Sequence, residues 1–423
     1  MSFLKDKKTW FIAGLIIIQF FLSFIFPAFE ADNSCQHSAD YFLNTNAERM
    51  SNIFSVSSGE VGLTKMFFTF FPNYRVICDS MSFLFLAKDW PWSYLQRNIY
   101  IDHPLYNFFA FLLIKPAQLL LGQVNYPVIF GAFMAVNYVL FFLTALFLYR
   151  LFKELLSEKV GFLSTVLFIF SPFSHSMINQ PTSSGAMEVF VVMSALFLLW
   201  LYYKKPNSTK LLLFSLLFGF LMLGKQIAAL ILFILILSIY FKRIKEGLVF
   251  VFIQFIPTVL WYLFVRLGLG LPFLMINVSS YDQGTWFLKS EYWTVAKMGH
   301  IILTALPNFF GTVVYGFFLI PLVLAVYGLY KIELKHKYLI SALFCFSFLA
   351  LFIGMKYFRP SLTFLIFPLV YPAAAYAIFD ITERLKIINK KYSVLFFYGI
   401  LLLIFLISNG NIYDFGVWQM MGV

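Results

Sequence analysis

Eleven apolar runs separated by short basic clusters constrain this chain more than any single motif. They fall at about 9–28, 127–149, 160–176, 185–203, 210–224, 226–241, 247–267, 311–330, 338–355, 361–379 and 393–409. A helix of about 20 apolar residues crosses the hydrocarbon core of a bilayer. In that solvent the backbone amides and carbonyls must pair within the segment, which a helix achieves. Composition agrees: 61% of the 423 residues are hydrophobic and 12% are charged, where a soluble domain carries about 25%. The expectation is an all-α polytopic membrane protein, a single transmembrane domain over residues 1–423, with no water-soluble domain attached. The neighbouring runs 210–224 and 226–241 read either as two helices or as one long one.

The first run follows Lys5-Asp6-Lys7-Lys8 and extends from Trp10 to about Phe29. It is too long for the apolar core of a signal peptide, and no small-residue cleavage site follows it. It reads as a span.

The net charge of +12 invites a nucleic-acid reading, which the placement of the charge excludes. Basic residues gather as Lys5/Lys7/Lys8, Arg150/Lys153/Lys159, Lys204/Lys205/Lys210, Lys242/Arg243/Lys245, Lys331/Lys335/Lys337 and Arg384/Lys386/Lys390/Lys391, 19 of the 31 Lys and Arg. With the N-terminus inside, all six clusters are cytoplasmic, as the positive-inside rule requires. The segment 177–184 and the tail 410–423, both outside, carry none. This alternation holds only if the apolar segment 104–122 does not cross. Lys115, Pro116 and Gln118 in its middle agree, so the segment is expected to lie in the outer interface as an amphipathic helix.

Two outer loops are expected, at 30–126 and 268–310. The first holds most of the polar residues and includes interfacial helices. The second contains Asp282-Gln283-Gly284, a turn signal, and the sequon Asn277-Val278-Ser279. Of the three cysteines, Cys345 sits in an apolar run, while Cys35 and Cys78 share the first loop. A disulfide and two free thiols both fit that placement.

Ionisable side chains crowd the outer face. Asp79, Lys88, Asp89, Arg97, Asp102 and His103 lie in the first loop, with His175, Lys225, Arg266, Lys356 and Arg359 in later outer turns. Glu188, near the outer end of its run, would be costly against lipid and is expected to face a cavity. The five histidines are scattered and form no metal-ligand spacing. Acids and bases around one outer cavity suit an enzyme of lipid-borne substrates. A transporter or flippase needs such groups at mid-membrane, reachable from both sides. An outer-leaflet polymerase or ligase of lipid-linked glycans usually has its large loop late in the chain, whereas here it comes first.

Several short motifs, in order, carry a family resemblance. Asp79 follows Arg75-Val76-Ile77-Cys78. Asp102-His103-Pro104-Leu105-Tyr106-Asn107 opens the next apolar segment. Ser171-Pro172 closes the run near 160–176, Gly219 precedes Lys225 by six residues, and Arg359-Pro360 leads to Pro368. Over about 80–380 this order resembles the GT-C superfamily of membrane glycosyltransferases, of the lipid A aminoarabinose transferase and protein O-mannosyltransferase type. The resemblance implies a GT-C-like bundle of about 11 transmembrane helices with a long first outer loop. It implies transfer of a sugar from a polyprenyl-phosphate donor to a lipid, glycan or protein acceptor, with inversion. The site would face outward, as in a bacterial inner membrane.

The resemblance makes Asp79 the base, with Asp102 and His103 orienting substrate. Lys225, Lys356 and Arg359 would hold the donor phosphate. Glu188, His175 and Arg97 are possible substrate contacts. Some members use a divalent cation held by acids of the first loop, for which Asp79 and Asp102 are the candidates here. The chain departs from the pattern at three points: Leu105 replaces a second proline, Ser80 replaces a second acid, and Asp79 stands about 50 residues beyond the first span. Glu30 and Asp32 lie closer behind that span, so the base assignment stays open to them.

Overall fold

The computed structural model describes residues 7–25, 36–37, 76–77, 90–91, 104–121, 126–171, 174, 185–224, 229–270, 294–297, 299, 303, 319–334, 336–337, 339–343 and 367–409. Helix dominates. In chain order the elements are α1 (Lys7–Ile25), β1 (Gln36–His37), β2 (Val76–Ile77), α2 (Pro104–Leu121), α3 (Tyr126–Leu155), α4 (Glu158–Ile169), α5 (Gly185–Lys204), α6 (Ser208–Met222), α7 (Ala229–Tyr240), α8 (Ile244–Leu263), α9 (Leu319–Lys331), α10 (Phe367–Ile388) and α11 (Lys390–Asn409). A π-helical turn, Phe264–Gly268, prolongs α8. By length and composition, Val128–Leu155, Ala186–Lys204 and Ile244–Gly268 are long and apolar enough to cross a membrane.

The structure resolves two points and refines others. Runs 210–224 and 226–241 form two helices, α6 and α7, separated by a turn at Leu223–Gly224. The expected all-α chain also has one small sheet: β1 and β2 pair antiparallel within the first loop. The helix expected over 160–176 ends at Ile169, because Pro172 cannot continue the ladder. The helix expected to end at 379 continues to Ile388. Much of its added length is polar and exposed. The count of eleven spans and the loop 268–310 rest largely on residues outside those described.

Packing follows from which helices are apolar all round. The central helix is α5, which is mostly buried, whereas α8 is mostly not. A helix apolar on every side suits either a bundle centre or lipid. What separates the two here is contact: α5 packs on α3, α6 and α7, whereas α8 packs on α6 and α7 and leaves Phe252, Val259, Leu260 and Leu267 exposed. From the centre, contact passes from α3 to α4, from α4 to α10, and from α10 to α9 and α11.

Small residues set the closest approaches. A Cβ on Gly328 would strike the backbone carbonyl of Ala373, so α9 and α10 meet backbone to backbone. A Cβ on Gly219 would meet the Gln254 carbonyl and Pro257, which brings α6 against α8. In lipid such contacts replace the hydrophobic drive between helices.

The basic clusters share one end of the bundle. Lys8 Nζ lies 2.7 Å from Glu158 Oε1, joining α1 to α4. Lys204 donates to Glu154 Oε2 at 2.7 Å, joining α5 to α3. The Tyr203 and Ser238 hydroxyls hydrogen-bond each other, joining α5 to α7. Tyr327 donates to Asp380 Oδ2 at 2.6 Å and Arg384 Nε to the same oxygen at 2.8 Å, joining α9 to α10. Ser157, Asn207 and Asn389 accept from backbone amides and cap helices at this end, each cap contributing about 1 kcal/mol.

Candidate functional site at the end opposite the basic clusters

The other end of the bundle gathers the segments that adjoin the residues singled out in the sequence. The Leu105 amide, in the first turn of α2, donates to the Leu223 carbonyl at 3.2 Å. Leu223 caps the C-terminus of α6. An orphan donor at one helix start thus meets an orphan acceptor at another helix end. Two positions before Leu105 is His103, and two positions after Leu223 is Lys225.

Gly224 then rests on the Met187 side chain, which occupies the space a Cβ at that glycine would need. Met187 is in the first turn of α5, and Glu188 follows it. Glu188 is only 7% exposed. A carboxylate buried at the end of the central helix requires polar company, and it is the one sequence-selected site residue that the described structure contains.

On the far side of α2, Tyr106 donates from its hydroxyl to Asn137 Oδ1 of α3 at 2.8 Å, with its ring 5.1 Å from that of Phe133. Both Tyr106 and Asn107 are fully buried. The Trp90 ring lies 4.8 Å from Phe108 and stacks at 6.1 Å on Trp261 of α8. This ties the first loop to both α2 and the bundle.

The C-terminus of α4 completes the end. Ser174 donates to the Phe168 carbonyl, and Ser171 donates to Ser174 Oγ at 3.0 Å. Tyr371 of α10 is buried beside Ser171, with its ring 6.3 Å from Phe168. His175 follows Ser174, and the segment bearing Lys356 and Arg359 leads into α10.

Asp79, Arg97, Asp102, His103, His175, Lys225, Lys356 and Arg359 lie outside the described residues, as do Glu30 and Asp32. What the structure brings to one end is the starts of α2 and α10 and the ends of α4 and α6, which adjoin Asp102, His103, His175, Lys225, Lys356 and Arg359 in sequence, with the start of α5 bearing Glu188. Among the described residues no group of three or more His, Cys, Asp or Glu is placed to hold a metal, and the suggested metal acids Asp79 and Asp102 are not among them.

Tyr106 and Ser171 stand in the sequence motifs, but their partners Asn137, Ser174 and Tyr371 were not singled out by the sequence. Asn137 carries a signal, being a polar residue within a long apolar run. Tyr371 carries none, because a tyrosine in such a run fits a lipid interface equally well.

No protein-family model matches this chain, and no curated protein matches it in sequence. Solved structures do match. The apo form of the Archaeoglobus fulgidus oligosaccharyltransferase superposes with a TM-score of 0.52 at 13% identity, over 98% of this chain and 55% of that one. The same enzyme with zinc and sulfate gives 0.51 at 14% identity, over 94% and 52%. ArnT from Cupriavidus metallidurans in the apo state gives 0.44 at 13% identity, over 71% and 55%. The fold therefore resembles that of the Archaeoglobus fulgidus oligosaccharyltransferase. This chain spans about half the length of the structures it matches.

Proposed function

We propose that this protein is a GT-C-type glycosyltransferase that moves a sugar from a polyprenyl phosphate to a lipid, glycan or protein acceptor at the outer membrane face, with inversion. The observation that carries the reading is the Leu105–Leu223 hydrogen bond. It joins the segments adjoining Asp102-His103 and Lys225, beside the buried Glu188, in a fold shared with an oligosaccharyltransferase.

In this reading Asp79 takes the proton of the acceptor nucleophile. The nucleophile bonds to the anomeric carbon as the bond to the phosphate oxygen breaks. The lipid phosphate leaves with that electron pair. Lys225, Lys356 and Arg359 balance its charge, the arginine by paired hydrogen bonds and the lysines as point charges. Asp102 and His103 orient the sugar, and Glu188, His175 and Arg97 contact substrate. A divalent cation, if used, would be held by Asp79 and Asp102. The Lys/Arg clusters would face the cytoplasm and the site the exterior, as in a bacterial inner membrane.

The test is transfer of radiolabelled sugar from polyprenyl phosphate by the purified protein in detergent. Asp79→Asn is expected to lower turnover by about 10²–10⁴ while donor binding persists. Arg359→Ala is expected to raise the donor concentration required as well as slow transfer, since it contacts phosphate in ground and transition states alike. Near-normal turnover of Asp79→Asn places the base elsewhere, with Glu30, Asp32 and Asp102 next in order. Donor that crosses the bilayer without transfer would make the protein a flippase instead.

A further inference from the structure

We propose that Cys35 and Cys78 are joined by a disulfide that closes the base of the first loop. The strand register carries this. Gln36 stands opposite Ile77, and His37 opposite Val76. Along an antiparallel pair one partner's number falls by one as the other's rises by one. Continued by one rung beyond Gln36–Ile77, this register would set Cys35 against Cys78. The two cysteines lie outside the described residues, and the proposal rests on the pairing of their immediate chain neighbours.

The geometry suits the bond. Directly opposed residues of antiparallel strands have Cα atoms about 5.5 Å apart on one kind of rung and about 4.5 Å on the other. A disulfide takes Cα separations of about 4.4–6.8 Å, so either kind of rung admits it. The strands are two residues each and join segments with 38 residues between them. A ladder that short is marginal by itself in water, and a covalent rung at its end supplies the closure it lacks. The third cysteine, Cys345, belongs to an apolar run far along the chain and leaves the loop pair without a competitor.

Closing the bond takes two thiols to one disulfide. Two protons and two electrons leave, and a disulfide-bearing oxidant is reduced to its dithiol by exchange. Such oxidants persist outside the cytosol, so the bond requires the first loop to be extracytoplasmic. Charge placement orients the loop the same way by a separate argument. Asp79 follows Cys78 directly. On the glycosyltransferase reading, the bridge would anchor the base to the chain leaving α1; the bond itself does not depend on that reading.

The experiment counts thiols on the full chain purified from membranes, after acid quenching at harvest and denaturation. Maleimide-polyethylene glycol is expected to add once without reduction, at Cys345, and three times after reduction. Peptide mapping without reduction should find the segments bearing Cys35 and Cys78 cross-linked within one monomer. Three additions without reduction, or a cross-link only between two chains, overturns the proposal. In the transfer assay, Cys35→Ser and Cys78→Ser should each lower turnover, and by similar factors. Full turnover from either overturns the anchoring role and leaves the thiol count to decide the bond.

Discussion

The amide of Leu105 and the carbonyl of Leu223 meet at 3.2 Å, fastening the start of α2 to the end of α6. In the pattern that the Asp102-His103-Pro104 segment resembles, a second proline stands where this chain has Leu105. Proline has no N–H to give. The departure from the family pattern is therefore the feature that makes this bond available here.

Leu105→Pro tests that connection. Proline is tolerated in the first turn of a helix, so α2 should persist. The bond to Leu223 should be lost, with a cost of about 1 kcal/mol. Thermal unfolding in detergent should show a modest fall, and transfer activity a larger one, since the bond joins two segments of the proposed site. Unchanged activity together with the stability loss would make the contact purely structural.

Gly328 is expected to be intolerant of any side chain. A Cβ there meets the backbone carbonyl of Ala373, not a flexible side chain that can swing aside. Gly328→Leu should therefore separate α9 from α10 and cost about 1–3 kcal/mol. Gly14 and Gly399 have open space at the same position. Gly14→Ala and Gly399→Ala should leave the unfolding midpoint close to that of the parent chain.

Acid should loosen the α9–α10 contact through Asp380. Burial raises the affinity of this carboxyl for a proton, but hydrogen bonds from Tyr327 and Arg384 outweigh it and hold the group below its ordinary value. A carboxyl lowered on folding adds stability that is fully present above its unfolded value. That stability is lost as pH falls through the folded value. The difference in unfolding midpoint between the parent and Asp380→Asn should be constant near neutrality and should vanish on acidification. A difference that grows as pH falls would have the wrong sign.

The clustering of Lys8, Lys153, Lys204 and Arg384 at one end predicts a common sidedness. A cysteine placed at the exposed Ser208 or Lys390, read against the unmodified chain, should react with an impermeant maleimide only in inverted vesicles. Reaction of one from each side would break the shared end that the ion pairs of Glu158, Glu154 and Asp380 describe.

The apolar runs and their basic punctuation determined most of the helices, because hydrophobicity over about 20 residues is a local property and suffices in lipid. The sequence also offered a set of candidate site residues near the expected outer ends of the runs, since an acid or base is affordable only near water; of these the structure describes Glu188 alone. Which helix touches which was not legible. The runs are nearly interchangeable in composition, and partners are chosen by shape, as where Gly328 admits the Ala373 carbonyl and Gly219 admits Pro257. Nor did the sequence decide whether 210–241 was one helix or two. Contact did: α6 and α7 each pack on both α5 and α8, which a single straight helix of that length would not reach along both halves. The meeting of Leu105 with Leu223 and of Gln36 with Ile77 joins residues 118 and 41 positions apart. Only tertiary structure sets such pairs, since hydrogen bonding between distant segments depends on where the whole bundle puts their ends.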